Sequence, residues 1–152
     1  LIARLIATWF YAGYVPKGPG TAGSVAAIAI AWAVHQLTAL PGAAFGFFSA
    51  LLAFPGVWSA GVVARAMKTE DPQIVVVDEV IGQWLTLAGA AELNWKSWLL
   101  ALVLFRIFDM WKPWPIRRLE SLPGGIGIVA DDALAGIYAA VVLFAAGWFH
   151  LY

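Results

Sequence analysis

Five apolar segments fill most of this 152-residue chain, and the breaks between them are short. The segments are 22–40, 43–67, 74–93, 97–111 and 125–148. The breaks are Pro41-Gly42, Thr69-Glu70-Asp71-Pro72, Asn94-Trp95-Lys96 and the run from Pro113 to Gly124. A bilayer core needs roughly 20 apolar helical residues. Most segments reach that length, and the fourth is short or tilted. Connections this brief join neighbouring antiparallel helices. The expectation is an all-α, multipass membrane bundle of about five transmembrane helices, one domain over residues 1–152, with Pro55-Gly56 kinking the second span. Composition agrees: 62% of residues are hydrophobic and 12% charged, and the mean hydropathy is +0.83. An ordinary soluble domain has about half and about a quarter. No internal repeat is visible.

The first fourteen residues differ. Leu1, Ile2, Leu5, Ile6, Trp9 and Phe10 recur at helical spacing, with Arg4, Ala7, Thr8 and Tyr11 opposite. A helix of that length spans only about 20 Å, so an N-terminal amphipathic helix lying in the membrane interface is expected. The remnant of a truncated span is the alternative. The sequence opens on Leu1 rather than Met, so a natural start upstream is expected, and no small-residue cleavage site marks a secretory signal. Zero formal net charge offers nothing to favour nucleic acid as a partner, and the absence of cysteine excludes thiol nucleophiles, disulfides and iron–sulfur ligation.

Basic residues orient the bundle. With the N-terminus inside, the inner segments carry Arg4, Lys17, Arg65, Lys68, Lys112, Arg117 and Arg118, the outer ones carry Lys96, and Arg106 lies within the fourth span. That is a positive-inside distribution. Trp95, Trp98 and Trp148 then fall at the outer interface and Trp111 and Trp114 at the inner one.

Against this background five of the nine acidic residues lie inside apolar segments: Asp78 and Glu79, Asp109, and Asp131 and Asp132. Each is expected within roughly 10 Å of the inner boundary. Burying a carboxylate costs several kcal/mol, roughly, unless it pairs, binds a cation or meets water. Adjacent helical residues point about 100° apart, so each acidic pair can aim one carboxylate into a shared site. Asp78, Glu79, Asp131 and Asp132 cannot all remain ionised together without a cation. Hard oxygen donors with no His or Cys nearby point to Mg²⁺, ahead of Mn²⁺ or Ca²⁺. The alternative is a structural ion-pair network with Arg106, Lys112 and Lys17.

Two further patterns share that side. Pro16-Lys17-Gly18-Pro19-Gly20-Thr21 is a tight loop running into a helix, which Thr21 is expected to cap. A helix N-terminus there, with Lys17, Gly18 and Gly20, suits a phosphate. Arg106, Asp109 and Lys112, spaced by three, form one polar stripe ended by Pro113. Arg106 and Lys112 can hold phosphate oxygens while Asp109 orients them or assists proton transfer. His35 and His150 are isolated and map to the outer half, so a phosphohistidine mechanism lacks its nucleophile. Hydrolysis would use metal-activated water.

The blocks PKGPGTAGS, VVVDEVIGQW, FRIFDMWKPWPIR and GGIGIVADDALAGIYA together resemble the phosphatidylglycerophosphatase A family, from Pro16 to about Ala139. The resemblance implies a Mg²⁺-dependent lipid phosphatase of the bacterial inner membrane, its active site facing the cytoplasm. It would convert phosphatidylglycerol phosphate to phosphatidylglycerol and phosphate. The family's motifs fall on Gly20-Thr21, Asp78-Glu79, Arg106, Asp109, Lys112 and Asp131-Asp132. A small transporter or proton-coupled channel is the alternative from another class. Acids gathered at one boundary, with no repeat, speak against it.

Overall fold

The computed structural model describes residues 1–152 and contains seven helices and no strands. They are α1 (Ile2–Ala7), α2 (Pro19–Thr38), α3 (Gly42–Met67), α4 (Val77–Leu87), α5 (Trp95–Trp111), α6 (Ile116–Leu119) and α7 (Gly125–Trp148), with a 3₁₀ turn at Ala12–Tyr14. Their ends follow local chemistry. α2 starts at Pro19, whose fixed φ suits a first helical residue, after Gly18 at φ +67°. Asn94 and Ser97 form a reciprocal capping box on α5. α3 runs without a break through Pro55 and stops at Lys68 in the left-handed region.

Three helices, α2, α3 and α7, are long and apolar enough to cross a membrane, rather than five. The third expected span shortens to the 11 residues of α4, about 17 Å at 1.5 Å per residue. The fourth, α5, has 17 residues and ends in its charged stripe. α4 needs no lipid-facing length of its own because α7, α3, α2 and α5 enclose it. Small residues make the enclosure possible: a Cβ on Gly136 of α7 would stand 2.3 Å from the Gly82 carbonyl of α4. Close backbone approach through small residues is how helices associate in lipid. The outward faces are apolar, with Phe47, Leu51 and Phe54 on α3, Val103 and Ile107 on α5, and Val141 and Phe144 on α7 all exposed. Together these features describe a membrane-embedded bundle.

The N-terminal segment departs from expectation. It forms six helical residues rather than fourteen, and its small face is the buried one. Ala3, Ala7 and Thr8 are buried, with α1 against α3, while Leu1, Ile2 and Phe10 point outward.

Candidate active site

Four elements bring the acidic residues to one end of the bundle. Asp78 and Glu79 lie in the first turn of α4, where free N–H groups and the helix dipole favour negative charge. Arg106 and Asp109 lie on the last turns of α5, Lys112 follows at its C-cap, and Asp131 and Asp132 occupy the second turn of α7. The loop before α2 closes the side. The resulting cavity, about 420 Å³, is lined by all seven of these residues together with Pro16, Gly18, Pro19, Gly20, Asp71 and Gln73.

Charges inside are divided into two groups. Arg106 Nη1 pairs with Asp109 Oδ2 and stands 3.9 Å from Glu79 Oε1, while its Nε and Nη1 make no aligned hydrogen bond. Lys112 Nζ donates to Asp131 Oδ2 at 2.6 Å and to Glu120 Oε1. Desolvation lowers the Lys112 pKa, but the hydrogen bonds to Asp131 and Glu120 outweigh it, so the ammonium titrates above its ordinary range. Asp71, at the cavity edge, is pushed above the usual carboxylate range by desolvation, against the pull of Lys112.

Asp78, Glu79 and Asp132 remain. Their carboxylate oxygens lie within 4.8 Å of one another. Asp78 Oδ1 and Glu79 Oε2 are buried without a hydrogen-bond partner. Three hard oxygen donors, converging and partly unsatisfied, fit a divalent cation of the Mg²⁺ type. Asp131 is not part of this trio: its Oδ2 accepts from Lys112, while its Oδ1, like Asp78 Oδ1, is buried without a partner. Of the ion pairs expected from the sequence, Arg106 reaches Asp109 and, at 3.9 Å, Glu79, and Lys112 holds Asp131, while Asp78 and Asp132 form none.

The loop before α2 divides similarly. Gly18 and Gly20 line the cavity, whereas Lys17 and Thr21 are exposed and do not. Thr21 is not the cap of α2. Gly18 holds that position and no side chain caps the helix, because Pro19 fixes the start two residues earlier. His35 accepts a packed role, its Nδ1 2.8 Å from the Leu40 carbonyl and its ring beside Trp98. Sequence reasoning passed over Asp71 and Gln73, which sit in a break between apolar segments, and Glu120, which shares Lys112. An acid shortly upstream of Asp78 on the same side was the available clue. It also passed over Gln83, one turn beyond Glu79, fully buried with neither amide atom partnered.

A cavity of carboxylates and carboxylate-bound cations, at one end of an apolar bundle, is the setting of a membrane enzyme, and the comparisons with known proteins make it a phosphatase. The sequence pattern of phosphatidylglycerophosphatase A matches residues 5–147. A "putative phosphatidylinositol-3-phosphatase" of Bacteroides thetaiotaomicron is 39% identical over 150 residues, covering 95% of this chain and 92% of that protein. The phosphatidylglycerophosphatase A of Escherichia coli is 39% identical over 145 residues, covering 95% and 83%. That of Haemophilus influenzae is 38% identical over 143 residues, covering 93% and 86%. No solved structure matches the chain. The chain belongs to the phosphatidylglycerophosphatase A family.

Proposed function

We propose that this protein removes the terminal phosphate of phosphatidylglycerol phosphate, in a Mg²⁺-dependent hydrolysis at the cytoplasmic face of the bacterial inner membrane. The observation that carries the reading is the converging trio of buried Asp78 and Asp132 with half-buried Glu79, beside Arg106 in a cavity at one end of an apolar bundle. The site position allows the lipid to present its headgroup while its acyl chains stay in the bilayer.

The trio would hold the cation. When bound, such an ion polarises a phosphoryl oxygen and lowers the pKa of water. Arg106 lines the cavity and would engage phosphoryl oxygens, with Asp109 fixing its guanidinium in place. Lys112 adds positive charge on the α7 side, held by Asp131 and Glu120. Gly18 and Gly20 keep the loop wall free of side chains where the phosphate enters. Positioned charge of this kind is the main protein contribution to phosphoryl transfer.

A second substrate reading comes from the Bacteroides relative, whose name specifies phosphatidylinositol 3-phosphate. Both lipids present a phosphate monoester on a polyol headgroup. Phosphate release by the purified protein from each lipid in mixed micelles, with EDTA and then with added Mg²⁺, tests the proposal. Preferred turnover of phosphatidylglycerol phosphate, lost to chelator and restored by Mg²⁺, is expected. Release insensitive to chelation, or confined to the inositol lipid, would reject it.

A further inference from the structure

Either substrate carries a second phosphate, the diester that joins the headgroup to diacylglycerol. The acidic cavity has little to offer it, since its two cations, Arg106 and Lys112, are the ones the reading above assigns to the terminal phosphate. A second cavity of about 720 Å³ adjoins the first, and Asp71 and Ile128 line both. Its wall includes Arg65 and Lys68 at the end of α3, and neither forms a salt bridge. Arg65 faces the start of α7: a Cβ placed on Gly61 would stand 3.4 Å from Arg65 Nη1 and 3.3 Å from Gly125 N. Glu70, Asp71 and Glu120 also line this cavity, but Glu120 is committed to Lys112. Leu122 of the lining and the nearby Ile126 are exposed apolar residues against which acyl chains can lie.

We propose that the second cavity is the subsite for the phosphodiester of a two-phosphate lipid, with Arg65 its main contact and Lys68 its second. The terminal phosphate then passes Asp71 and Ile128 into the acidic cavity. This rests on the lipid-phosphatase reading above and adds a selectivity to it. A lipid with a phosphate monoester but no diester, such as phosphatidic acid, forgoes the Arg65 contact. Arginine suits the role because its planar fork engages two oxygens of one phosphate.

The test compares the full chain with Arg65→Gln and Lys68→Gln in neutral detergent micelles. For Arg65→Gln, KM for phosphatidylglycerol phosphate is expected to rise about tenfold with kcat within about twofold, the signature of lost uniform binding. The preference over phosphatidic acid should fall by the same factor. Lys68→Gln should show the same pattern with a smaller change. A second arm measures binding of phosphatidylglycerol, which has the diester and no monoester, to the protein in EDTA. Arg65→Gln should weaken it about tenfold. Equal losses on both phosphorylated lipids, or an unchanged phosphatidylglycerol affinity, would overturn the subsite. Arg65-dependent binding without any phosphate release would reject the phosphatase reading alone. Release with Arg65-independent binding would reject the subsite alone.

Discussion

Gly20 and Glu79 meet so closely that a Cβ on residue 20 would stand 2.1 Å from Glu79 Oε1, with Arg106 Nη1 3.2 Å away. The loop before α2 therefore sets where the Glu79 carboxylate lies. Gly20→Ala should displace that flexible side chain rather than the backbone, and the fold should survive. Misplacing a reacting group by about 1 Å can cost on the order of 10²-fold. A comparable fall in kcat is expected, with a thermal midpoint within a few degrees of the parent. A fully active variant would show that the Glu79 position is unimportant.

Asp131 and Asp132 are neighbours with different surroundings, and they should separate on substitution. Asp132 belongs to the trio with Asp78 and Glu79, whereas Asp131 holds Lys112. Asp132→Asn should reduce turnover by orders of magnitude and raise the Mg²⁺ concentration needed for half-maximal rate. Asp131→Asn should cost less and leave the Mg²⁺ requirement near that of the parent. Mg²⁺ titrations of both variants decide the matter, and identical metal dependences would remove the distinction.

Packing around α4 gives a stability prediction. Backbone meets backbone at Gly82 and Gly136, so a methyl group at 136 has no flexible neighbour to push aside. Overpacking of this kind typically costs about 1–3 kcal/mol, occasionally more. Gly136→Ala should lower the unfolding temperature in detergent, and a conservative change at exposed Val141 should not. An unshifted midpoint for Gly136→Ala would mean that α4 and α7 are less tightly apposed.

How much of this was legible beforehand differs by residue. The acids stood out because a carboxylate in an apolar segment must find a partner, and the helical rise placed them all at one depth. The brevity of α4 was hidden, since a run such as IVVVDEVIGQW reads alike whether lipid or other helices surround it. Enclosure depends on contacts such as Gly82 with Gly136, which lie 54 positions apart in the sequence. α1 shows the same gap from another side. Periodicity set the apolar residues Leu1 to Phe10 against Arg4, Ala7, Thr8 and Tyr11 but did not say how either set meets the protein. In this bundle the small residues Ala3, Ala7 and Thr8 are buried, Ile6 and Trp9 pack beside them, and Arg4 and Tyr11 are exposed. Asp71 went unread because it lies outside every apolar segment, where an acid is ordinary.

Topology can be tested directly. α4 and α5 run the depth of the bundle, since a Cβ on Gly42 at the start of α3 would stand 2.4 Å from the Leu87 carbonyl at the end of α4; if basic residues stay inside, the ends of α3 and α5 with Arg117 and Arg118 are expected there and Asn94 outside. The native chain has no cysteine, so single cysteines report cleanly. In intact cells, Asn94→Cys should react with an impermeant thiol reagent. Arg117→Cys should react only after permeabilisation. The reverse pattern would put the acidic cavity on the outer face and reject the cytoplasmic assignment.

Arg106 offers the sharpest separation of charge from geometry. Its Nη1 lies against Asp109 and near Glu79, yet Nε and Nη1 make no aligned hydrogen bond. A planar guanidinium already oriented by a carboxylate can clamp two phosphoryl oxygens, and a lysine ammonium in its place supplies charge without the fork. Arg106→Lys should retain the ion pair with Asp109 and keep its stability near that of the parent. Its kcat should fall by about 10²–10³-fold, the range seen on losing a preorganised donor to a developing oxyanion. KM should change far less, because the donors act mainly on the transition state. Single-turnover rates on micellar phosphatidylglycerol phosphate, with thermal unfolding in parallel, measure both quantities. A near-parental kcat in a stable Arg106→Lys protein would confine Arg106 to offsetting the repulsion between Asp109 and Glu79.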